Sequence, residues 1–304
     1  MNLLFYTMTV LIWGSTWLAI KFQLGVVDPS QSVAYRFLLA ALMLFAWCLV
    51  RRLPLRFGRR AHGMIALQGF CLFALNYLLF YLAEVQITSG LAAVVFSTIV
   101  IMNLLNGRLF LGTSVEWKVL LGGGLGLLGL VLMFWPEMVA VDFSGPVLKG
   151  LLLSVAATYL ASLGNIISAR NQRHGLPVVQ TNTIGMAYGG VCMLVVAVIN
   201  GTPFTIELTY PYLLSLAYLA LFGSVIAFGC YLSLVGRIGP GRAAYATLLF
   251  PLVALVLSTF WEDYHWTAEA LAGIGLILGG NYLALKKGKV KILPPCLEKG
   301  TVRI

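Results

Sequence analysis

The stretch Leu120–Trp135, LLGGGLGLLGLVLMFW, contains the hexapeptide GLGLLG at positions 124–129. In isolation this hexapeptide matches G-x-G-x-x-G, the glycine pattern of a dinucleotide-binding turn, which needs a strand before it, a helix after it and an acidic residue roughly 20 positions later. Here it lies in the middle of an apolar block with no polar turn beside it. The glycines are better explained as sites where a second helix approaches closely, as Gly122 and Gly126 with their four-residue spacing would allow in a membrane.

Composition indicates an integral membrane protein. Of the 304 residues, 60% are hydrophobic and 10% are charged, against roughly 25% charged residues in a typical soluble domain. The apolar residues form blocks of about 20, the length that crosses a bilayer core, and such blocks must be helical because no water there satisfies backbone groups. We therefore predict an all-α protein with ten transmembrane helices. The blocks are 3–21, 30–50, 64–83, 89–107, 118–135, 147–168, 178–199, 211–234, 242–260 and 267–285.

An internal repeat relates the two halves of the chain. At an offset of 151 positions, residues 90–132 fall on 241–283 without a gap. Three glycines of the first copy then coincide with three of the second, namely Gly122, Gly124 and Gly129 with Gly273, Gly275 and Gly280. Because the repeating unit has five helices, an odd number, the second copy must enter the membrane from the opposite side. Inverted repeats around a midplane site are typical of secondary transporters that work by alternating access.

The repeat predicts the domain organisation. Residues 1–140 form one five-helix repeat, 141–288 form the second, and 289–304 form a basic cytoplasmic tail. The formal net charge of +10 comes from basic residues that are unevenly distributed, since 17 of the 20 Lys and Arg residues fall on one side of the ten blocks. This distribution indicates the orientation of the chain in the membrane. By the positive-inside rule both termini lie in the cytoplasm, and the chain is a multi-pass protein of the plasma membrane, which in bacteria is the inner membrane. The basic excess is thus no sign of nucleic-acid binding.

Several function classes lack their sequence signals. His62, His174 and His265 fall in loops or at block ends, the five cysteines are scattered, and no P-loop is present. We therefore expect no metal, no cofactor and no direct use of ATP. No Asp or Glu lies near the centre of a block, so coupling to protons, where it occurs, would take place at the mouth of a cavity.

Longer stretches of the sequence carry a family resemblance. LIWGSTWLAIKF at 11–22, AYRFLLAA at 34–41, SGLAAVVFSTIV at 89–100 and the region from GRAAYATLLF at 241–250 onward resemble the EamA-type branch of the drug/metabolite transporter superfamily, up to about residue 285. The resemblance implies ten transmembrane helices in two inverted EamA domains, and export or import of small metabolites such as amino acids. It also implies a central cavity lined mainly by helices 1, 3, 4, 6, 8 and 9. Family members often carry proline in helix 4, where this chain has Val100.

Polar and aromatic side chains at membrane depth are candidates for the solute site, because burying a polar group in hydrocarbon is costly unless it faces protein or water. Arg36 could hold a substrate carboxylate, or its long side chain could reach the outer headgroups. Glu84 could pair with a cation or accept a proton, or it could be a solvated loop carboxylate. Trp13, Thr16 and Trp17 share one face of helix 1, either toward a cavity or in packing.

The second half of the chain offers partners for these residues. Tyr231 is the offset partner of Phe80, and Asn165 aligns approximately with Trp17. Pro251 should kink helix 9, as a mobile hinge or as a static bend. The predicted substrate-binding residues are Trp13, Thr16, Trp17, Arg36, Asn76, Phe80, Glu84, Asn165, Tyr231 and Tyr245, and the predicted hinge is Pro251.

These features favour a secondary carrier of small organic metabolites, amino acids or related compounds, in the direction of export or of import. Its partners would be a small solute and bilayer lipid. Two alternatives from other classes are an intramembrane enzyme acting on lipid and a membrane receptor that transports nothing. An enzyme would need paired carboxylates, a His cluster or an activated nucleophile at membrane depth, and none is readable, so we expect no enzymatic activity. The sequence leaves monomer and homodimer equally open.

Overall fold

The computed structural model describes residues 1–23, 25–139, 145–261 and 266–285, and all regular elements in these ranges are helices. Eight helices of the described part are long and apolar enough to cross a membrane. They are α2 Pro29–Val50, α3 Arg59–Glu84, α4 Gly90–Leu111, α6 Gly145–Arg173, α7 Val178–Ile199, α8 Tyr210–Ile238, α9 Pro240–Leu257 and α10 Ala268–Leu285. Helix α1 is Asn2–Lys21, and the shorter apolar α5 is Trp117–Met133. The prediction of an all-α protein with several membrane-spanning helices is confirmed.

Local sequence signals set several helix ends. Asp28 caps α2, its carboxylate accepting from the backbone N–H of Ser30 at 2.8 Å, and Pro29 follows at the first helical position, where its missing N–H costs nothing. Helix α4 ends at Gly112, whose φ of 63° is a left-handed conformation that glycine adopts without strain. The short segment Trp135–Val139 follows α5 as a separate turn of helix.

Four helices depart from regular α geometry within their length, and in α4 the departure is a break at the single residue Thr98. In α3 the residues Cys71–Leu75 form a π-helical turn, and in α8 the residues Leu219–Ile226 form another. Helix α9 passes through a 3-10 segment, Ala244–Leu249, before α-helical geometry resumes at Phe250 and continues to Trp261, four residues beyond the candidate membrane span Pro240–Leu257. Pro251 lies just after this segment, where the loss of its backbone donor is absorbed by the change of helix type.

Glycines bring α5 and α10 into close contact. A Cβ built on Gly122 would lie 2.5 Å from the carbonyl oxygen of Gly280, and one built on Gly129 would lie 2.5 Å from the carbonyl oxygen of Gly273. Gly124, in the same helix, has no neighbour within 4 Å of such a Cβ. GLGLLG therefore lies inside a helix and serves helix packing, as the sequence indicates, and the dinucleotide interpretation is excluded.

The remaining contacts bring the two halves of the chain together. Helix α7 packs on α2, where Gly190 faces Leu38, and α6 packs on α3, where Gly164 faces Leu72. Helix α1 packs against α8 and α9. Of these helices, α1, α2, α3, α6, α8 and α9, together with α4, surround the cavity described next.

Candidate functional site

A cavity of about 160 Å³ lies between helices α1, α2, α3, α4, α6, α8 and α9. An engineered cavity of about this size, roughly 150 Å³, admits benzene. Most of the wall is apolar or aromatic, with a few convergent polar groups, which is the usual composition of a small-molecule site. The lining residues are Trp13, Thr16, Ile20, Arg36, Leu72, Asn76, Tyr77, Phe80, Tyr81, Glu84, Ala92, Phe96, Ile99, Ala161, Asn165, Phe228, Tyr231, Thr247 and Phe250.

Arg36 brings a positive charge into this apolar wall. Its side chain is only 5% exposed, and its Nε donates to Ser224 Oγ at 2.9 Å. The guanidinium carbon lies 5.3 Å from the ring centroid of Tyr77 and 5.4 Å from that of Phe37, which are cation–π distances. No carboxylate of the described residues forms an ion pair with it. The guanidinium therefore retains N–H donors for an anionic group in the cavity.

Trp13 forms one wall of the cavity and joins the halves of the chain. Its Nε1 donates to the carbonyl of Gly223 at 2.9 Å, which fixes the indole plane. Its ring centroid lies 4.8 Å from that of Phe228, 5.1 Å from Tyr231 and 5.4 Å from Phe250. These are edge-to-face or tilted contacts, the arrangement that aromatic pairs prefer.

Two asparagines supply unused acceptors beside the cavity. Asn165 is 1% exposed and donates from Nδ2 to the hydroxyl of Tyr231 at 3.1 Å. The Oδ1 atoms of Asn165 and Asn76 are buried and have no hydrogen-bond partner among the described residues. A buried acceptor without a partner costs free energy, so each oxygen favours binding of a donor.

Phe80 and Glu84 both belong to α3 and both line the cavity. The ring of Phe80 meets that of Phe96 edge to face with centroids 5.5 Å apart. Glu84, the last residue of α3, is half-buried and lines the cavity together with Arg36 and Thr16. The cavity thus contains both a cationic and an acidic side chain.

Not every predicted residue reaches the cavity. Tyr245 is fully buried, but its hydroxyl donates to the backbone carbonyl of Val119 in α5, and it is absent from the lining. Pro251 is buried beside the lining residue Phe250. Trp17 lies in α1, but its side chain falls outside the described part of the structure, as does the predicted tail 289–304.

Sequence reasoning missed several lining residues, five of them aromatic. Tyr77 and Tyr81 each follow by one position a residue predicted for the site, Asn76 and Phe80, so their spacing was a usable signal. Phe228, Phe250 and Phe96 carry no sequence feature that separates them from packing residues. Arg36 shows that α2 also contributes to the cavity, beyond the helices that the family resemblance implies. Within the described ranges no group of three His, Cys, Asp or Glu side chains could hold a metal ion.

Comparison with known proteins gives the family. The sequence profile of the EamA-like transporter family matches residues 1–135 and 148–286. An "Uncharacterized inner membrane transporter YedA" of Escherichia coli (strain K12) is 31% identical over 255 residues, which are 82% of this chain and 79% of that protein. A "Probable amino-acid metabolite efflux pump" of the same organism is 25% identical over 91% of this chain and 92% of its own length.

A solved crystal structure supports the fold at greater sequence distance. It has 18% identity to this chain, a TM-score of 0.76, and an alignment that covers 93% of this chain and 96% of the other. The family, its named relatives and the apolar helices together indicate a multi-pass inner-membrane transporter and not an enzyme, as the sequence predicts. The chain belongs to the EamA-like transporter family.

Proposed function

We propose that the chain is a secondary carrier that moves amino acids or related small metabolites across the bacterial inner membrane by alternating access. The observation that carries the proposal is the cavity, where both halves of the chain place polar groups in an aromatic enclosure. The first half supplies Arg36, Asn76 and Glu84, and the second supplies Asn165 and Tyr231. The "amino-acid metabolite efflux pump" of Escherichia coli is consistent with a solute of this class.

Two inverted five-helix repeats, with ten transmembrane helices in all, are part of the proposal. Their first support is a shared irregularity. The π-helical turn Cys71–Leu75 of α3, moved by the sequence offset of 151, falls on 222–226, which lies inside the π-helical turn Leu219–Ile226 of α8. Such turns are rare in helices, so their coincidence at that offset favours a common unit of 1–140 and 141–288.

Reciprocal contacts are the second support for the repeats. Under the same offset Gly122 corresponds to Gly273, and Gly129 to Gly280. Gly122 contacts Gly280 while Gly129 contacts Gly273, which is the exchange of partners that a twofold axis produces. An inverted repeat requires such an axis in the plane of the membrane.

A second pair of helix contacts follows the same rule. At the offset of 151, Leu72 falls on Gly223 and Trp13 falls on Gly164, which differs by three positions from the approximate alignment of Trp17 with Asn165. Leu72 contacts Gly164, and Trp13 donates to the carbonyl of Gly223. Helices α3 and α6 thus meet as α8 and α1 do, and the cavity lies between these two crossings.

The polar groups suggest how an amino acid would be held. A carboxylate would accept from the terminal nitrogens of Arg36, a geometry that guanidinium matches well. An ammonium group would donate to the free Oδ1 atoms of Asn76 and Asn165, and the apolar part of the solute would contact Trp13 and the surrounding rings. Thr16, Phe80 and Tyr231 complete the proposed binding surface, and Glu84 is the proposed site for a coupling proton.

Alternating access requires contacts that open and close. At one end of the molecule Arg242 pairs with Glu116 at 2.6 Å, and Asn103 Nδ2 donates to the carbonyl of Pro240 at 3.1 Å. Both contacts join the first half to the second. With both termini in the cytoplasm this is the cytoplasmic end, so the contacts would have to break before a solute could enter or leave there. Pro251, next to the 3-10 segment of α9, is the proposed hinge.

Flux through proteoliposomes tests the proposal. Purified full-length chain is reconstituted with a panel of labelled amino acids, with and without a proton gradient. We expect uptake of at least one amino acid, recovered chemically unchanged, and its loss in Arg36→Gln. Arg51→Gln is the matched control, because Arg51 ends the same helix in an exposed position. Absence of flux for the whole panel, or a modified product, would favour the receptor or the lipid-modifying enzyme.

A further inference from the structure

The side chain that holds Arg36 in place comes from the opposite half of the chain. Arg36 lies in α2, whereas its hydrogen-bond partner Ser224 lies in the π-helical turn of α8. Ser224 donates its own proton to the carbonyl of Leu219 at 3.0 Å. Its oxygen is then free to accept from Arg36 Nε, so the direction of both hydrogen bonds is defined.

The π-helical geometry makes this arrangement possible. Ser224 and Leu219 are five residues apart, and a π-helical turn pairs groups at that separation. In a regular α-helix a serine hydroxyl bonds to the carbonyl three or four residues earlier instead. The wider turn thus orients the Ser224 hydroxyl toward Arg36.

Gly223, the neighbouring residue, provides room for the guanidinium. A Cβ at this position would lie 3.1 Å from Arg36 Nη2 and 3.0 Å from the methyl carbon of Thr16. The Gly223 carbonyl also accepts from Trp13 Nε1. One turn of α8 therefore positions two lining residues of the first half, the charged one and the aromatic one.

The consequence concerns the orientation of the charge. An arginine side chain has several rotatable bonds, and bidentate binding of a carboxylate requires its planar fork to be held in one direction. Fixing Nε on Ser224 leaves Nη1 and Nη2 for the solute. We propose that Ser224 is a positioning residue that aims Arg36 and thereby gives the cavity its preference for solutes with a carboxylate.

This inference rests on the proposed role of Arg36 in carboxylate binding. Benzoate and benzamide provide a test, because they have nearly the same shape and differ in charge. Binding of each to the full-length chain in lipid nanodiscs is followed by tryptophan fluorescence, since Trp13 lines the cavity. The readout is the ratio of the two affinities, which a general loss of structure would leave unchanged.

Four variants complete the test. We expect Ser224→Ala to weaken benzoate binding about tenfold, the effect of a lost hydrogen bond to a charged group, and to leave benzamide unchanged. Ser224→Thr should retain the wild-type ratio, because threonine keeps the hydroxyl. Ser233→Ala is the matched control, since Ser233 lies in the same helix and donates to the carbonyl of Gly229 at 2.6 Å, outside the cavity lining. Arg36→Gln should abolish the preference for benzoate.

Each outcome decides a separate question. An unchanged ratio in Ser224→Ala, with the preference lost in Arg36→Gln, would overturn the role of Ser224 and leave the proposed function intact. Equal weakening of benzoate and benzamide would make Ser224 a packing residue only. A wild-type chain that binds no benzoate, or that keeps its preference in Arg36→Gln, would overturn both the inference and the proposed site for a carboxylate.

Discussion

The contact between α5 and α10 allows a sharp test, because one helix contains both a crowded glycine and an open one. In Gly122→Ala the new methyl carbon would lie 2.5 Å from the carbonyl oxygen of Gly280. An ordinary contact needs about 3.5 Å, so the helices would have to separate by about 1 Å. The obstructing atom belongs to the backbone and cannot rotate away. Overpacking of this kind costs about 1–3 kcal/mol.

Gly124→Ala is the control within the same helix. A methyl group there meets nothing within 4 Å, and both substitutions share the gain in helix propensity, about 1 kcal/mol. The difference between the two variants therefore isolates the helix contact. With about 2–4 °C per kcal/mol, a cost of about 2 kcal/mol lowers Tm by about 4–8 °C.

The assay is thermal unfolding of purified chain in detergent, followed by tryptophan fluorescence, for the wild type and both variants. We expect Gly122→Ala to unfold at lower temperature than Gly124→Ala, and Gly124→Ala to match or exceed the wild type. Equal Tm values for the two variants would refute the close approach of α5 to α10. They would also remove one of the reciprocal contacts that support the twofold relation.

Three further predictions concern the transport cycle and are tested by flux measurements in proteoliposomes. Asn76→Leu should abolish flux while expression stays at the wild-type level; undiminished flux would exclude Asn76 from the site. Glu116→Arg should slow flux and the double exchange with Arg242→Glu should restore it; slow flux in the double variant would show that this ion pair does not control the rate. Pro251→Ala should lower the transport rate severalfold without changing solute affinity. A wild-type rate in this variant would show that Pro251 is not a hinge of the transport cycle.

The ends of a helix could be predicted from sequence where the limits of the apolar block coincide with local start and stop residues. Block 178–199 equals α7, because Pro177 precedes the helix and Asn200 with Gly201 ends it. Helix α3 starts at Arg59, five residues before its block at 64, since a basic extension lies beyond the apolar stretch. The length of an apolar block reflects the thickness of the bilayer core, and the helix itself can extend beyond that core.

The site was readable only in part, for a geometric reason. Asn76 and Phe80, both predicted for the site, are four residues apart on one face of α3, and both line the cavity. Tyr77 and Tyr81 lie one position after them in the same regular segment, Asn76–Glu84, so the lining arc extends about 100° beyond the face that Asn76 and Phe80 share. Tyr245 lies in a 3-10 segment with about three residues per turn, and its hydroxyl reaches α5 instead.

The two π-helical turns are alike in backbone but not in chemistry. Position 224 in α8 corresponds to Phe73 in α3, and position 36 in α2 corresponds to Ala187 in α7. If the halves are the proposed repeats, two copies of the second half would carry two serines and no arginine, and two copies of the first half would carry two arginines and no serine to hold them. A perfectly symmetric pocket would also accept a solute equally well in either of two opposite poses. If the proposed repeats and solute site are correct, the difference between the halves removes that ambiguity and would give the bound molecule one head and one tail.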